Sequence, residues 1–169
     1  AGPNSRNFLK KIVVSEDPDK TLSNKEFPWL SYRDIEIGMC PVRALRVAYT
    51  GELGWELHHP IEMQNYLLDL LLSSGEEFDI KLVGARAQNW LRQEKSYKAF
   101  GSDLGRDAGP FESNLNRFVD LNKEFLGKKA LLNRKTEVSC VTLLIDGPDN
   151  IDPWGREALY NESENVILG

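Results

Sequence analysis

From Val42 to His59 the chain reads VRALRVAYT, then GELG, then WELHH: two runs rich in β-branched and aromatic residues, joined by a short glycine-bounded link. This pattern predicts two antiparallel strands, Val42–Thr50 and Trp55–His59, closed by a four-residue hairpin loop. It constrains the fold more than any other stretch, because an antiparallel pair must bury one face against something else. With GELG as the loop, Thr50 faces Trp55 and Tyr49 faces Glu56. Directly opposed side chains share a face with Cβ atoms about 4.5–5.5 Å apart. A phenol and a carboxylate are then expected side by side, while Glu52 sits at the tip.

The partner for that buried face is written next to it. Residues 61–74 (IEMQNYLLDLLLSS) carry Met63, Tyr66, Leu67, Leu70 and Leu71 at three-to-four spacing, with Pro60 at the first turn and Gly75 just beyond the end. A further short helix is expected over residues 4–14 and a strand over Ile35–Gly38. FDIKLV reads as a short strand, followed by a helix over Val83–Tyr97 with Val83, Ala87, Trp90, Leu91 and Glu94 along one stripe. The glycine-rich residues 98–122 predict loop with one strand near Arg117–Leu121, KEFLGKKALL a short helix, VSCVTLLIDG an apolar strand, and the tail from DPWG a turn, a strand and a turn. The fold class is therefore α+β, antiparallel sheets with packed helices. A shift in composition at Asn133–Thr136 sets expected domains of 1–133 and 134–169, the second a small β-rich one.

Charge narrows the function classes. With 21 Lys and Arg against 26 Asp and Glu, the net charge is −5, and no concentrated basic face is present for a phosphate backbone. No nucleic-acid partner is expected. Lys128, Lys129, Arg134 and Lys135, interrupted by leucines, read as a solvated helix face. Cys40 and Cys140 lie far apart and the two histidines are adjacent, so no metal-ligand spacing exists; the thiols are expected free. No apolar run has the length of a membrane span, and the longest is broken by Asp69. The opening AGPNSRNFLKK has neither an initiator Met nor a signal peptide, which reads as a processed chain or a fragment.

The polar residues offer few reactive constellations. A carboxylate such as Glu56 accepts two parallel N–H bonds from an N–C–N edge, and a neighbouring aromatic packs on the ring that carries it. The competing reading pairs Glu56 with Arg43 or Arg46 on the sheet surface. Arg86 stands near a helix start, where the dipole favours anions, and a wheel sets it beside Trp90, Gln93 and Tyr97. From there it either reaches a ligand carboxylate or pairs with Glu76 or Glu77. Arg92 falls on the polar face and reads as solvated; Glu94, within the stripe, needs a partner, for which Lys98 is placed. No nucleophilic triad, P-loop or dinucleotide fingerprint is present, so no catalytic residue is assigned.

Several motifs then follow one another in order: RVAYTGELGWEL (46–57), KLVGARAQNWLRQEK (81–95), YKAFGSDL (97–104), PFE (110–112) and FLGKKAL (125–131). Together they resemble the folate-binding aminomethyltransferase family typified by the glycine cleavage T-protein. The form EKSYKAFGSDL is similar to the branch in which a folate domain follows an FAD-dependent dimethylglycine or sarcosine dehydrogenase domain. The resemblance implies tetrahydrofolate as ligand, with Glu56 on the pterin, Tyr49 in its pocket and Arg86 in the folate site. It implies capture of a one-carbon unit from a small methylated amine or aminomethyl donor, giving 5,10-methylenetetrahydrofolate. FAD would belong to the parent polypeptide and not to this segment. A standalone T-protein would instead act with a lipoyl carrier protein. The expected compartment is the mitochondrial matrix, or the cytoplasm of a bacterium.

By the same resemblance, the family's proposed catalytic aspartate lies upstream of Gly2-Pro3 and the family continues past NVILG. The segment is therefore expected to be an interior piece that grips a ligand without driving the transfer. A folate-binding helper in iron–sulfur assembly shares this fold, but its cysteine-containing motif is replaced here by LRQEKSYKAFGSDL.

Overall fold

Phe8, Leu9 and Ile12 recur on one face of the helix α1 (Ser5–Ile12) and are buried there, with Val13 continuing the same apolar surface. A short helix α2 (Pro18–Thr21) follows, started by Pro18 and capped by Asp17, whose carboxylate accepts the Lys20 N–H at 2.9 Å. Chain reversal then builds a three-stranded antiparallel sheet in the order β1 (Tyr32–Ile37), β2 (Cys40–Leu45), β3 (Glu56–His58). Along β2, Cys40, Val42 and Ala44 point inward while Pro41 and Arg43 point out, the alternation that a half-buried strand requires. The structure is a computed structural model describing residues 1–148, 153, 155, 157–161, 163, 166 and 167. It comprises two compact units, Ala1–Tyr97 and Lys98–Gly169.

The hydrophobic core lies in the first unit. Phe8, Leu9, Ile12 and Val13 meet Leu22, Phe27, the inner face of β1 and β2, and Leu67 of the helix α3 (Gln64–Gly75). The stripe read from the sequence is the one that packs: Met63, Tyr66, Leu70 and Leu71 are partly buried against that core. Tyr66 also ties the helix to the β1–β2 turn, its hydroxyl accepting the Met39 N–H at 3.0 Å. The fold class is α+β, as expected.

Several element boundaries differ from expectation. The strand foreseen over Val42–Thr50 stops at Leu45: Arg46 still bonds on the β1 side, its N–H donating to the Ser31 carbonyl (2.9 Å) and its carbonyl accepting the Leu30 N–H (3.2 Å), but the Val47 N–H folds back onto the Leu45 carbonyl (2.9 Å). No strand forms at 79–84. The helix that follows, α4 (Ala85–Glu94), is shorter than the Val83–Tyr97 foreseen.

In the second unit, α5 (Lys128–Asn133) forms where KEFLGKKALL predicts it. Asn116–Phe118 make a single 3-10 turn in place of the expected strand, and 134–147 hold no strand. Side chains and single backbone bonds hold that stretch instead: the Cys140 N–H donates to the Glu112 carbonyl at 2.7 Å, and the Asn114 amide donates to the Cys140 carbonyl at 2.6 Å. Two short antiparallel strands, β4 (Tyr160–Asn161) and β5 (Val166–Ile167), close the described tail. The turn expected at DPWG and the close at NVILG lie partly outside the described residues.

Candidate functional site

The β2–β3 ladder begins at Leu45–Glu56, so the connection runs over ten residues, 46–55, and not four. Glu56 opposes Leu45, and the expected pairing of Tyr49 with Glu56 across a ladder does not occur. The cause is a tight turn at Arg46, in which the Val47 N–H donates back to the Leu45 carbonyl at 2.9 Å, so the backbone group next in line on the β3 side is already engaged. The long loop is fixed from the chain start: the Gly2 N–H (2.7 Å) and the Ser5 hydroxyl (2.8 Å) both donate to the Leu53 carbonyl. Gly51 sits at φ +70°, and a Cβ there would meet the Lys95 side chain at 2.1 Å, so glycine is required for both conformation and space.

Tyr49, 40% exposed on this loop, lies beside Tyr97, with ring centroids 6.1 Å apart and planes tilted by 43°. Tyr97 reaches that position because α4 ends three residues earlier. Ser96 takes a left-handed conformation (φ 57°), and the chain folds back so that the Tyr97 N–H donates to the Arg92 carbonyl at 2.9 Å. Arg92 closes the same turn from the side chain, donating through Nε to Asn89 Oδ1 (2.8 Å) and through Nη1 to the Tyr97 carbonyl (2.7 Å). It is buried, against the expectation of a solvated arginine, because the returning backbone covers it and supplies its acceptor. Glu94 is exposed, as are Val83 and Ala87, so the expected stripe is not the buried face of α4.

Between the loop and Tyr97 lies a concavity of about 290 Å³ lined by Trp29, Arg46, Glu52 and Tyr97, with Gly51 and Gly54 in its wall. That volume is near the lower end of ordinary ligand sites, about 300–1,000 Å³. Glu52 engages Lys95, Nζ to Oε1 at 3.5 Å. Trp55 packs edge-on to Phe27 with centroids 6.2 Å apart and lies partly buried against the core.

Glu56 and Arg86 stand outside the walls of this concavity. Glu56 opens β3 with its carboxylate exposed, 3.4 Å from His58 Nε2. It pairs with neither arginine weighed for it: Arg43 makes a two-pronged bond to Asp34 (2.8 and 3.0 Å), and Arg46 donates to the Phe27 carbonyl. The hydrogen bond from Arg43 holds the Asp34 carboxyl below its usual range, with the guanidinium's charge adding to it. Arg86 is exposed in the first turn of α4.

Sequence reasoning missed three residues of this region: Tyr97, Arg46 and Arg92. A helical wheel extended through Tyr97 cannot show that the helix has stopped, and nothing local marks Ser96 as left-handed. A findable signal was the Asn89–Arg92 pair at i, i+3, which favours a bond along the helix.

The chain's relatives fit this arrangement of motifs. Residues 1–123 match the family described as the GCVT N-terminal domain. The chain is 40% identical to mitochondrial dimethylglycine dehydrogenase of Mus musculus, over 98% of the chain and 19% of that protein. It is 30% identical to mitochondrial sarcosine dehydrogenase of Homo sapiens, over 98% of the chain and 18% of that protein. It is 32% identical to an aminomethyltransferase of Caldanaerobacter subterraneus subsp. tengcongensis, over 80% of the chain and 35% of that protein. The chain thus spans about a fifth of the two dehydrogenases' length, by the 19% and 18% figures.

Proposed function

The chain belongs to the GCVT N-terminal domain family, and on that premise we propose that it is the tetrahydrofolate-binding part of a one-carbon transfer enzyme of the dimethylglycine and sarcosine dehydrogenase kind. It is an aminomethyltransferase-like domain, and the family and its aminomethyltransferase relatives imply tetrahydrofolate use. The observation that carries the reading is the match at 40% identity along 98% of the chain to a dehydrogenase named for dimethylglycine, an N-methylated amino acid.

The residues present suit such a ligand. Two tyrosine rings 6.1 Å apart beside a concavity of about 290 Å³ offer a face for an aromatic heterocycle. Outside the walls of that concavity, Glu56 has an exposed carboxylate to accept an N–C–N donor edge, and Arg86 is exposed on α4. When bound, tetrahydrofolate supplies the nitrogen that accepts the one-carbon unit. Glu56 would hold the pterin, Tyr49 would pack on its face, and Arg86 would bind the folate. The methylated amine would reach an FAD-dependent domain of the same polypeptide. The division into a folate-binding domain over 1–133 and a second β domain over 134–169 is part of the same proposal, as is a matrix or bacterial cytoplasmic setting. No helix among the described residues is long and apolar enough to cross a membrane.

Isothermal titration of the full-length protein with 5-formyltetrahydrofolate tests this. Glu56→Gln keeps shape but halves the acceptor capacity, and affinity is expected to fall about tenfold or more, the scale of one charge-assisted pair. Unchanged affinity sinks the pterin assignment. A second reading, a free aminomethyltransferase working with a lipoyl carrier protein, draws support from the 32% identity to the Caldanaerobacter enzyme. The absorbance of the purified full-length protein separates the two, a flavin spectrum favouring the dehydrogenase kind.

A further inference from the structure

The described residues leave one group of donors without acceptors. Arg6 Nε, Arg46 Nε and Trp55 Nε1 are all buried and none makes a hydrogen bond. Arg6 uses one donor on Asn24 Oδ1 (2.7 Å) and lies over the Trp55 ring at 5.9 Å; Arg46 spends one on the Phe27 carbonyl. Neither arginine has a carboxylate within ion-pair distance among the described residues, although each guanidinium carries five N–H groups. Burial first, and then the like charge of Arg6, push the Arg46 pKa down. Two partly buried cations held near each other without a counter-charge are costly, and chains ordinarily supply one.

Arg46 also lines the concavity with Trp29 and Tyr97. The carboxylate nearest to hand there, Glu52, is engaged by Lys95 at 3.5 Å. We propose that Arg46, backed by Arg6, is the carboxylate-recognition residue of this concavity, receiving the carboxylate of a ligand whose body lies against Trp29 and Tyr97. The fork of a guanidinium matches a carboxylate in two parallel bonds, and the second cation strengthens the attraction without touching the ligand. The inference rests on the reading of this concavity as the ligand site. The carboxylate comes either from the glutamyl tail of a folate or from an N-methylated amino acid.

The test uses the full-length protein and matched ligand pairs in isothermal titration: 5-formyltetrahydrofolate against its des-glutamyl pteroate analogue, and dimethylglycine against trimethylamine, which lacks the carboxylate. Arg46→Met is expected to weaken the carboxylate-bearing member of one pair about tenfold or more, and to leave its carboxylate-free partner unchanged. The pair that responds identifies the source. Equal loss for both members, or no loss in a variant with wild-type near-ultraviolet circular dichroism, overturns the proposal. Should Arg46→Met not fold, Arg46→Lys, which keeps the charge and loses the fork, is read on the same pairs with the same criteria. Glu56→Gln is measured in parallel. A folate loss there with no carboxylate discrimination at Arg46 removes this inference alone, whereas an unaffected Glu56→Gln removes the pterin reading and leaves Arg46 to stand or fall on its own pairs.

Discussion

Gly51 shows how much of this region depends on one missing side chain. The residue sits at φ +70°, and the space where its Cβ would lie is filled by Lys95 Cγ and Cβ. Gly51→Ala is expected to cost about 1 kcal/mol from backbone strain alone, and more as Lys95 is displaced. Denaturant unfolding of the full-length protein measures this, and a midpoint unchanged from wild type would contradict it. The pair of glutamates separates at the same scale. Glu52 turns back to Lys95 at 3.5 Å, while Glu56 opens β3 beside His58. Sequence reading distinguished the two correctly as turn and strand residues. It did not find the neighbour of Tyr49, because that depends on where β2 stops.

At the scale of elements, α4 holds the main correction. Its periodicity pointed to a stripe through Val83 and Glu94, but the helix starts at Ala85, and its one buried residue is Arg92. Burial of that arginine follows from the backbone after the helix, which returns through Ser96 to give it the Tyr97 carbonyl. Arg92→Met is therefore expected to leave Asn89 and that carbonyl short of a donor, costing about 1–3 kcal/mol. It should also loosen the Tyr49–Tyr97 contact, seen as a loss of near-ultraviolet tyrosine dichroism. Retained dichroism at unchanged stability would show that the turn holds without it. Elements whose evidence is local were legible: α1, α3 and α5 form where amphipathic spacing and glycine or proline punctuation put them. Apolar runs such as VSCVTLLIDG were not, since a strand exists only when a partner strand supplies its hydrogen bonds.

For the molecule as a whole, the two units are held by different means. The first has the core, and every buried hydrophobic side chain among the described residues belongs to it. The second relies on a polar clamp: buried Glu112 accepts from the Gly109 N–H and from Arg134, Nε at 3.0 Å and Nη2 at 2.8 Å. The Gly109 N–H first, and then Arg134, hold the Glu112 carboxyl below its usual range. A carboxyl lowered on folding adds stability that is complete above its unfolded pKa, about 4.3 for Glu, and is lost as pH falls through the folded value. The protection factors of the Gly109 and Ser113 amides, taken against their intrinsic exchange rates at each pH, are thus expected to fall as the pH is lowered beyond the ordinary carboxylate range. In Glu112→Gln these protection factors should already be low at neutral pH and lack that dependence. A wild-type profile in the variant would show the clamp to be dispensable.

The sequence by itself determined the α+β class, the amphipathic helices and the ordered motifs that place the chain in its family; Tyr49, Glu56 and Arg86 enter as the folate residues that those motifs imply. Each rests on spacing within a few residues or on a motif copied whole. Only the tertiary structure decided the end of the β2–β3 ladder, the tilted contact of Tyr97 with Tyr49, the burial of Arg92, and the lack of a carboxylate partner for Arg6 and Arg46 among the described residues. Those depend on backbone hydrogen bonds between segments distant in the chain, such as Arg46 with Leu30 and Ser31 or Leu53 with Gly2. No local pattern encodes which of two competing partners such a group will take.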